Sequence, residues 1–280
     1  MKVNKPLVTV DWLYSNINDK NLIILDATLQ KVTAKKRGNQ GEEKLQIKGA
    51  RFFDIKKVFS DLEAPFPNTI LSSKEFEQKA QNLGINSDSC IVVYDDLGIY
   101  SSPRVWWMFQ LMGFSNIAVL NGGLLEWKSK KYPIEKPQNH QPKKGNLKAN
   151  YQPEKVKFKD DILNSIDDKN NIVVDARSKG RFLGTAPEPR QSVKSGHIPN
   201  SESLPYSTII ENGKMISEEK LKSIFEITNP NNKEMIFSCG TGITASVLYL
   251  GATVAGYKNH SVYDGSWTEW GSVDDLPIEI

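Results

Sequence analysis

A chain of 280 residues with 39% hydrophobic content is long enough for two domains of ordinary size, each with its own core. Its 36 basic and 33 acidic residues leave a net charge of +3, which implies neither a nucleic-acid surface nor a membrane surface. No apolar run reaches the length of a membrane span, the N-terminus lacks the basic-then-apolar order of a signal peptide, and the two cysteines, Cys90 and Cys239, suggest a reducing compartment rather than a disulfide framework; the cytoplasm is the expected location.

Taken in chain order, Val10-Asp11-Trp12-Leu13 opens a helix, and Leu22-Ile23-Ile24-Leu25-Asp26-Ala27 reads as a strand ending in an aspartate. Ile47-Lys48-Gly49-Ala50 follows, then a helix over residues 73–83 opening with a serine cap candidate and acidic residues. Cys90 packs at the start of the next strand, Ile91-Val92-Val93-Tyr94, and Leu120-Asn121-Gly122-Gly123 with Trp127, then Tyr132-Pro133-Ile134-Glu135, close the first half. The same order then recurs. Asn171-Ile172-Val173-Val174-Asp175-Ala176 repeats the first strand, Ile198-Pro199-Asn200-Ser201 the turn, residues 217–227 the helix, Met235-Ile236-Phe237-Ser238 the second strand, Tyr263-Asp264-Gly265-Ser266 with Trp270 the glycine turn, and Leu276-Pro277-Ile278-Glu279 the end. Strands alternating with helices predict an α/β fold, here two tandem domains, each a mostly parallel central sheet flanked by helices. The expected boundaries are 1–138 for the first domain, 139–157 for a linker rich in Pro, Gln, Asn and Lys, and 158–280 for the second. Matched positions in the two copies make the tryptophans 106, 107, 127, 267 and 270 packing residues rather than a stacking surface.

One loop carries chemistry. Met235-Ile236-Phe237-Ser238 runs into Cys239-Gly240-Thr241-Gly242-Ile243-Thr244, and residues 245–255 then carry Val247, Leu248, Leu250, Ala252 and Val254 at helical spacing. Strand, glycine-containing loop and helix make an anion-site geometry: successive amide N–H groups turn inward where the helix N-terminus adds partial positive charge. A cysteine ending a buried strand is often only a small hydrophobe, but a packing cysteine needs no glycines on both sides of Thr241. The first copy places Asp95 where the second has Cys239, so only the second half can perform thiol chemistry. Arg181 and Arg190, nine residues apart around a Gly/Pro-containing loop, are either solvated surface arginines or an anion grip. Arg177, close to Asp175, reads as one half of a structural ion pair. No CxxC or His-rich spacing supports a metal site and no dinucleotide fingerprint occurs, so no cofactor is expected.

Together, Cys239 to Ala245, Gly180-Arg181-Phe182-Leu183-Gly184-Thr185 with Pro187-Glu188-Pro189-Arg190, Gly196-His197-Ile198-Pro199, the run from Tyr100 to Trp107, and Tyr263-Asp264-Gly265-Ser266-Trp267 resemble the tandem rhodanese family over essentially the whole chain. The resemblance implies a catalytically inactive first copy, an active second copy and a sulfurtransferase reaction. The neutral Gly240 and Thr241 resemble the mercaptopyruvate branch, since the thiosulfate branch carries cationic side chains directly after its cysteine, suited to a dianionic donor. The related phosphatase loop needs an arginine where this chain has Ala245.

Carried onto this sequence, the resemblance implies Cys239 as nucleophile and later persulfide, and Thr241 as the loop hydroxyl. It implies Arg181 and Arg190 as the grip on the donor's carboxylate and carbonyl, and Gly240, Gly242, Ile243 and Thr244 as the rest of the binding loop. The sulfur donor is a small molecule, and thioredoxin, a small thiol or cyanide the acceptor. Gln46 departs from the pattern: it stands where a relay histidine, the hydroxyl's partner, is expected, and glutamine carries no proton near neutral pH. That departure keeps two alternatives open, thiosulfate:cyanide transfer and a sulfur-carrier module without turnover. His197, the second-copy equivalent, is expected to make a structural hydrogen bond; His140 and His260 receive no role. An ordinary cysteine with a pKa near 8.5 is already roughly a tenth ionised around pH 7.5, so thiolate activation can contribute about tenfold at most, and substrate orientation with enolate stabilisation must supply more.

Overall fold

The computed structural model describes residues 1–31, 44–138 and 141–280; the first two residues of the expected linker, Asn139 and His140, lie outside them. Two compact units emerge: Met1–Phe59, Ser72–Asn150 and Asn212–Lys214 form one, and Ser60–Leu71, Tyr151–Glu211 and Met215–Ile280 the other. Residues 60–71, although early in the chain, thus pack with the later half.

Each unit is built on a five-stranded, all-parallel sheet. In the first, Leu7–Val8, Ile117–Leu120, Cys90–Tyr94, Leu22–Asp26 and Arg51–Phe52 lie side by side in that order. In the second the order is Val156–Lys157, His260–Tyr263, Glu234–Ser238, Asn171–Asp175, Glu202–Ser203, so the two sheets share one topology. Cys90–Tyr94 is buried along its whole length, as a central parallel strand covered by helices on both faces must be. Cys90 is 0% exposed, and burial pushes its thiol up.

The helices form where their caps and apolar spacing direct. Ser72, one residue before the expected cap, closes a capping box with Glu75 ahead of Ser73–Asn82, and Ser217 caps Glu218–Thr228. Ala245–Val254 is apolar and buried over most of its length. The repeat extends to single hydrogen bonds: Trp127 Nε1 donates to Pro133 O at 2.9 Å and Trp270 Nε1 to Pro277 O at 2.8 Å, both indoles being 0% exposed. Of the expected linker, Gly145 and Leu147 donate backbone N–H groups to Gln81 O and Ile85 O within the first unit, and Val156–Lys157 is already the edge strand of the second sheet. Among the described residues no helix is long and apolar enough to cross a membrane, and no group of three or more His, Cys, Asp or Glu side chains is placed to hold a metal ion.

Candidate active site

Cys239 stands at the carboxyl end of the central strand Glu234–Ser238, where open α/β sheets bind their ligands. Its side chain is at the base of a closed turn, only 2% exposed. The turn is held from one side by the residues opening the short helix Ser266–Trp270. Ser266 Oγ accepts from Cys239 N at 3.2 Å and from Gly242 N at 3.1 Å while donating to Tyr263 O at 2.8 Å. Trp267 N and Thr268 N donate to Cys239 O and Gly240 O, each at 2.9 Å. With the loop carbonyls drawn that way, the N–H groups of Gly240, Thr241, Ile243 and Thr244 find no protein acceptor among the described residues. Gly242 at φ +76° turns the chain, and the helix Ala245–Val254 directs its N-terminus at the same place. The arrangement can stabilise negative charge on or next to sulfur.

In the first unit the corresponding cradle is already filled. Asp26 pairs with Tyr94 as Asp175 pairs with Ser238, so Asp95 occupies the position of Cys239. Asp95 Oδ2 accepts from the backbone N–H groups of Tyr100, Ser101 and Ser102 at 2.8, 3.0 and 2.9 Å and from Ser102 Oγ at 2.6 Å. Oδ1 takes Leu97 N at 3.0 Å. The loop that would grip a ligand anion grips its own carboxylate instead.

Thr241 Oγ1 accepts from Asn68 Nδ2 at 2.9 Å. Asn68 is 7% exposed, holds φ +66°, and belongs to the segment 60–71 that packs in the second unit. The adjoining Ile70 N donates to the buried Asp264 carboxylate at 3.0 Å. Sequence reasoning missed Asn68 because it lies 173 positions from Thr241; the available signal was an asparagine after Phe66-Pro67, a residue suited to left-handed backbone. Gln46, expected where the hydroxyl's partner stands, makes other bonds. Its Nε2 donates to Ala50 O at 2.9 Å and Glu135 Oε1 at 3.3 Å, because Gln46–Ile47 is paired antiparallel with Ile134–Glu135. His197 repeats this placement opposite Glu279. It stacks on Phe182 at 3.9 Å and bonds Phe182 O through Nδ1 at 2.9 Å, the structural role expected of it.

The arginines form a chain of charge. Arg177, its side chain 0% exposed, grips Asp175, donates Nη2 to Gly196 O at 2.8 Å, and stacks on Trp267 at 4.3 Å. Its Nη1 reaches Glu188 Oε1 at 2.9 Å. Glu188 in turn accepts from Arg181 through Nε at 3.0 Å and through Nη2. That fork lays Arg181 against the binding loop: a Cβ added at Gly240 would sit 3.3 Å from Arg181 Nη2. Arg190 donates to Thr268 Oγ1 at 3.4 Å. Burial first, then repulsion from Arg181, lowers its pKa, while Glu188 and Cys239 pull it the other way, so all four groups share one electrostatic field. Of the residues singled out in the sequence, Cys239, Gly240, Thr241, Gly242, Ile243, Thr244, Arg181 and Arg190 therefore fall around one loop; the role of Glu188 was not anticipated.

Residues 9–130 and 158–272 match the family model described as the Rhodanese-like domain. The chain is 34% identical over 301 residues to thiosulfate/3-mercaptopyruvate sulfurtransferase 1, mitochondrial, of Arabidopsis thaliana, covering 100% of this chain and 79% of that protein. It is 34% identical over 275 residues to 3-mercaptopyruvate sulfurtransferase of Escherichia coli (strain K12), covering 97% of each. Among solved structures, that of SseA from Escherichia coli, described with the rhodanese fold and catalytic mechanism of 3-mercaptopyruvate sulfotransferases, matches with a TM-score of 0.81 at 30% identity, covering 94% of this chain and 99% of that one.

Proposed function

The chain belongs to the rhodanese family, with two copies of the domain, and from that premise we propose that it is a sulfurtransferase taking sulfur from 3-mercaptopyruvate through Cys239. The Cys239 thiolate attacks the donor sulfur. A new S–S bond forms, the donor's C–S bond breaks, and its electron pair leaves on carbon as pyruvate enolate, which a proton from water converts to pyruvate. The Cys239 persulfide then gives its outer sulfur to thiocyanate-forming cyanide or to a thiol, thioredoxin or a small one, which restores the thiolate.

Arg181 and Arg190 hold the carboxylate and the carbonyl oxygen on which enolate charge develops. Thr241 donates its hydroxyl to the same developing charge. With Asn68 Nδ2 donating into one lone pair of its oxygen, the O–H of Thr241 is directed away from Asn68. Gly240, Gly242, Ile243 and Thr244 line the persulfide with backbone rather than side chain. The first copy is catalytically silent because Asp95 fills its cradle, and the two free cysteines suit a reducing compartment such as the cytoplasm.

The observation that carries the choice of donor is the contact of Arg181 with Gly240. A side chain at position 240 would bring its Cβ to 3.3 Å from Arg181 Nη2, so a cationic residue there, the pattern suited to thiosulfate, would need Arg181 to shift and would set two like charges side by side, which favours the neutral arrangement. Initial rates with mercaptopyruvate and with thiosulfate, each with cyanide and with a dithiol as acceptor, test it. Faster release of pyruvate from mercaptopyruvate is expected; preference for thiosulfate would overturn the donor assignment, and silence with both would favour a carrier without turnover.

A further inference from the structure

The segment between Arg181 and Arg190 contains a carboxylate that the sulfur-transfer chemistry does not use. Glu188 has a side chain only 5% exposed, beside the two donor-binding arginines. It does not contact the loop hydroxyl or the sulfur in any hydrogen bond of the described residues. Its oxygens instead join Arg177 to Arg181, and Arg177 is itself matched by Asp175. Three guanidinium groups, Arg177, Arg181 and Arg190, therefore face two carboxylates, Asp175 and Glu188. Arg190 has no carboxylate partner among the described residues; its bond is to a hydroxyl. With the Cys239 thiolate, which also acts on Arg190, the three positive groups face three negative ones, so a donor brings its charge into a balanced site where each further negative charge meets the Glu188 carboxylate unopposed.

We propose that Glu188 is a specificity-determining and positioning residue: by neutralising one arginine of the site and holding Arg181 flat against Gly240, it sets a preference for monoanionic sulfur donors over dianionic ones. This inference rests on the sulfur-transfer reading above and deepens it. Geometry explains both halves of the role. Two of Arg181's three nitrogens, Nε and Nη2, are engaged by Glu188, leaving Nη1 without an acceptor among the described residues and available to a ligand. The buried carboxylate contributes a full negative charge where water does not screen it well. A second charge on the donor experiences that field again, so removing it favours a dianion about twice as strongly as a monoanion in free energy.

The test uses the full chain with Glu188→Gln, which keeps size and shape but removes the charge, and Glu188→Asp, which keeps the charge on a shorter stem. Initial rates give kcat/KM for mercaptopyruvate and for thiosulfate. Glu188→Gln is expected to raise the thiosulfate-to-mercaptopyruvate ratio of kcat/KM by on the order of tenfold, with Glu188→Asp returning the ratio towards wild type even where both rates fall. A parallel reading needs no turnover: alkylation of Cys239 by neutral iodoacetamide, protected by sulfate or by pyruvate. Here Glu188→Gln is expected to lower the half-protecting concentration of sulfate on the order of tenfold more than that of pyruvate. If both donors and both protecting anions change by the same factor, Glu188 is merely structural and the proposal is overturned. A wild-type chain inactive with both donors, whose protection pattern nevertheless shifts in Glu188→Gln, would retain the charge role and remove the sulfur-transfer reading.

Discussion

Ser266 offers the sharpest test of how the loop is held. Its hydroxyl is the acceptor for two buried backbone N–H groups, of Cys239 and Gly242, and the donor to Tyr263 O, and the residue is 0% exposed. Replacement by Ala leaves both N–H groups without a partner in a site closed to water. At about 1–2 kcal/mol for each orphaned donor, the expected loss is about 3 kcal/mol. Ser266 also holds φ +53°, a conformation that costs a side-chain-bearing residue about 1 kcal/mol and glycine almost nothing. Ser266→Gly should therefore be less destabilised than Ser266→Ala, although it removes more atoms. Equilibrium urea unfolding of the full chain, followed by tryptophan fluorescence, gives both values. Turnover should fall on the order of a hundredfold in both variants, because the amides are no longer preorganised for charge on sulfur. Wild-type stability and turnover in Ser266→Ala would show that the hydroxyl does not hold the loop, and a glycine variant weaker than the alanine one would show that the backbone at 266 stores no strain.

Arg181→Ala and Arg190→Ala should each lower mercaptopyruvate turnover on the order of a hundredfold, more than any change in thiol ionisation could produce; near-wild-type rates in both would show that the donor is bound elsewhere. Asp95→Ala strips the acceptor from four backbone N–H groups and the Ser102 hydroxyl. It should cost about 4 kcal/mol in urea unfolding while leaving sulfur transfer per folded molecule unchanged, and loss of specific activity would give the first copy a catalytic part. His260 should make stability depend on pH. Burial pushes it down from 6.5 to about 4. Its Nε2 is 2.9 Å from Thr253 Oγ1, and because that hydroxyl donates to Tyr249 O, the ring carries its proton on Nε2. The unfolded chain takes up a proton near pH 6.5 and the folded chain only near pH 4, so the stabilising effect is complete above pH 6.5 and lost as pH falls through 4, by about 3 kcal/mol. His260→Phe should flatten that part of the curve of urea midpoint against pH; an unchanged slope would assign it to other groups.

Much of the fold was legible because its central strands are uninterrupted apolar runs. Leu22–Asp26 and Cys90–Tyr94 in one sheet, and Asn171–Asp175 and Glu234–Ser238 in the other, pair as neighbours, and the strand-loop-helix transition at Cys239 marked the candidate loop without any distance. The edge strands Arg51–Phe52, Glu202–Ser203 and Val156–Lys157 were not legible, since two residues show no period. Three site features also escaped for one physical reason: their partners are set by the path of the chain in space. Asn68 reaches Thr241 only because segment 60–71 packs with the later half, Ser266 meets the loop from the end of a different strand, and Glu188 was read as part of a motif although its work is to join Arg177 to Arg181. Residue type singles out the candidate nucleophile and the arginines, whereas the groups that hold them in place are ordinary polar residues whose significance is geometric.

The central claim is that Cys239 itself carries the transferred sulfur. Intact-protein mass spectrometry after brief exposure to mercaptopyruvate, without an acceptor, tests it directly. A gain of one sulfur atom is expected, located by peptide mapping on Cys239, discharged by added cyanide and absent from Cys239→Ser. Pyruvate release without that gain, or a gain that persists in Cys239→Ser, would contradict it.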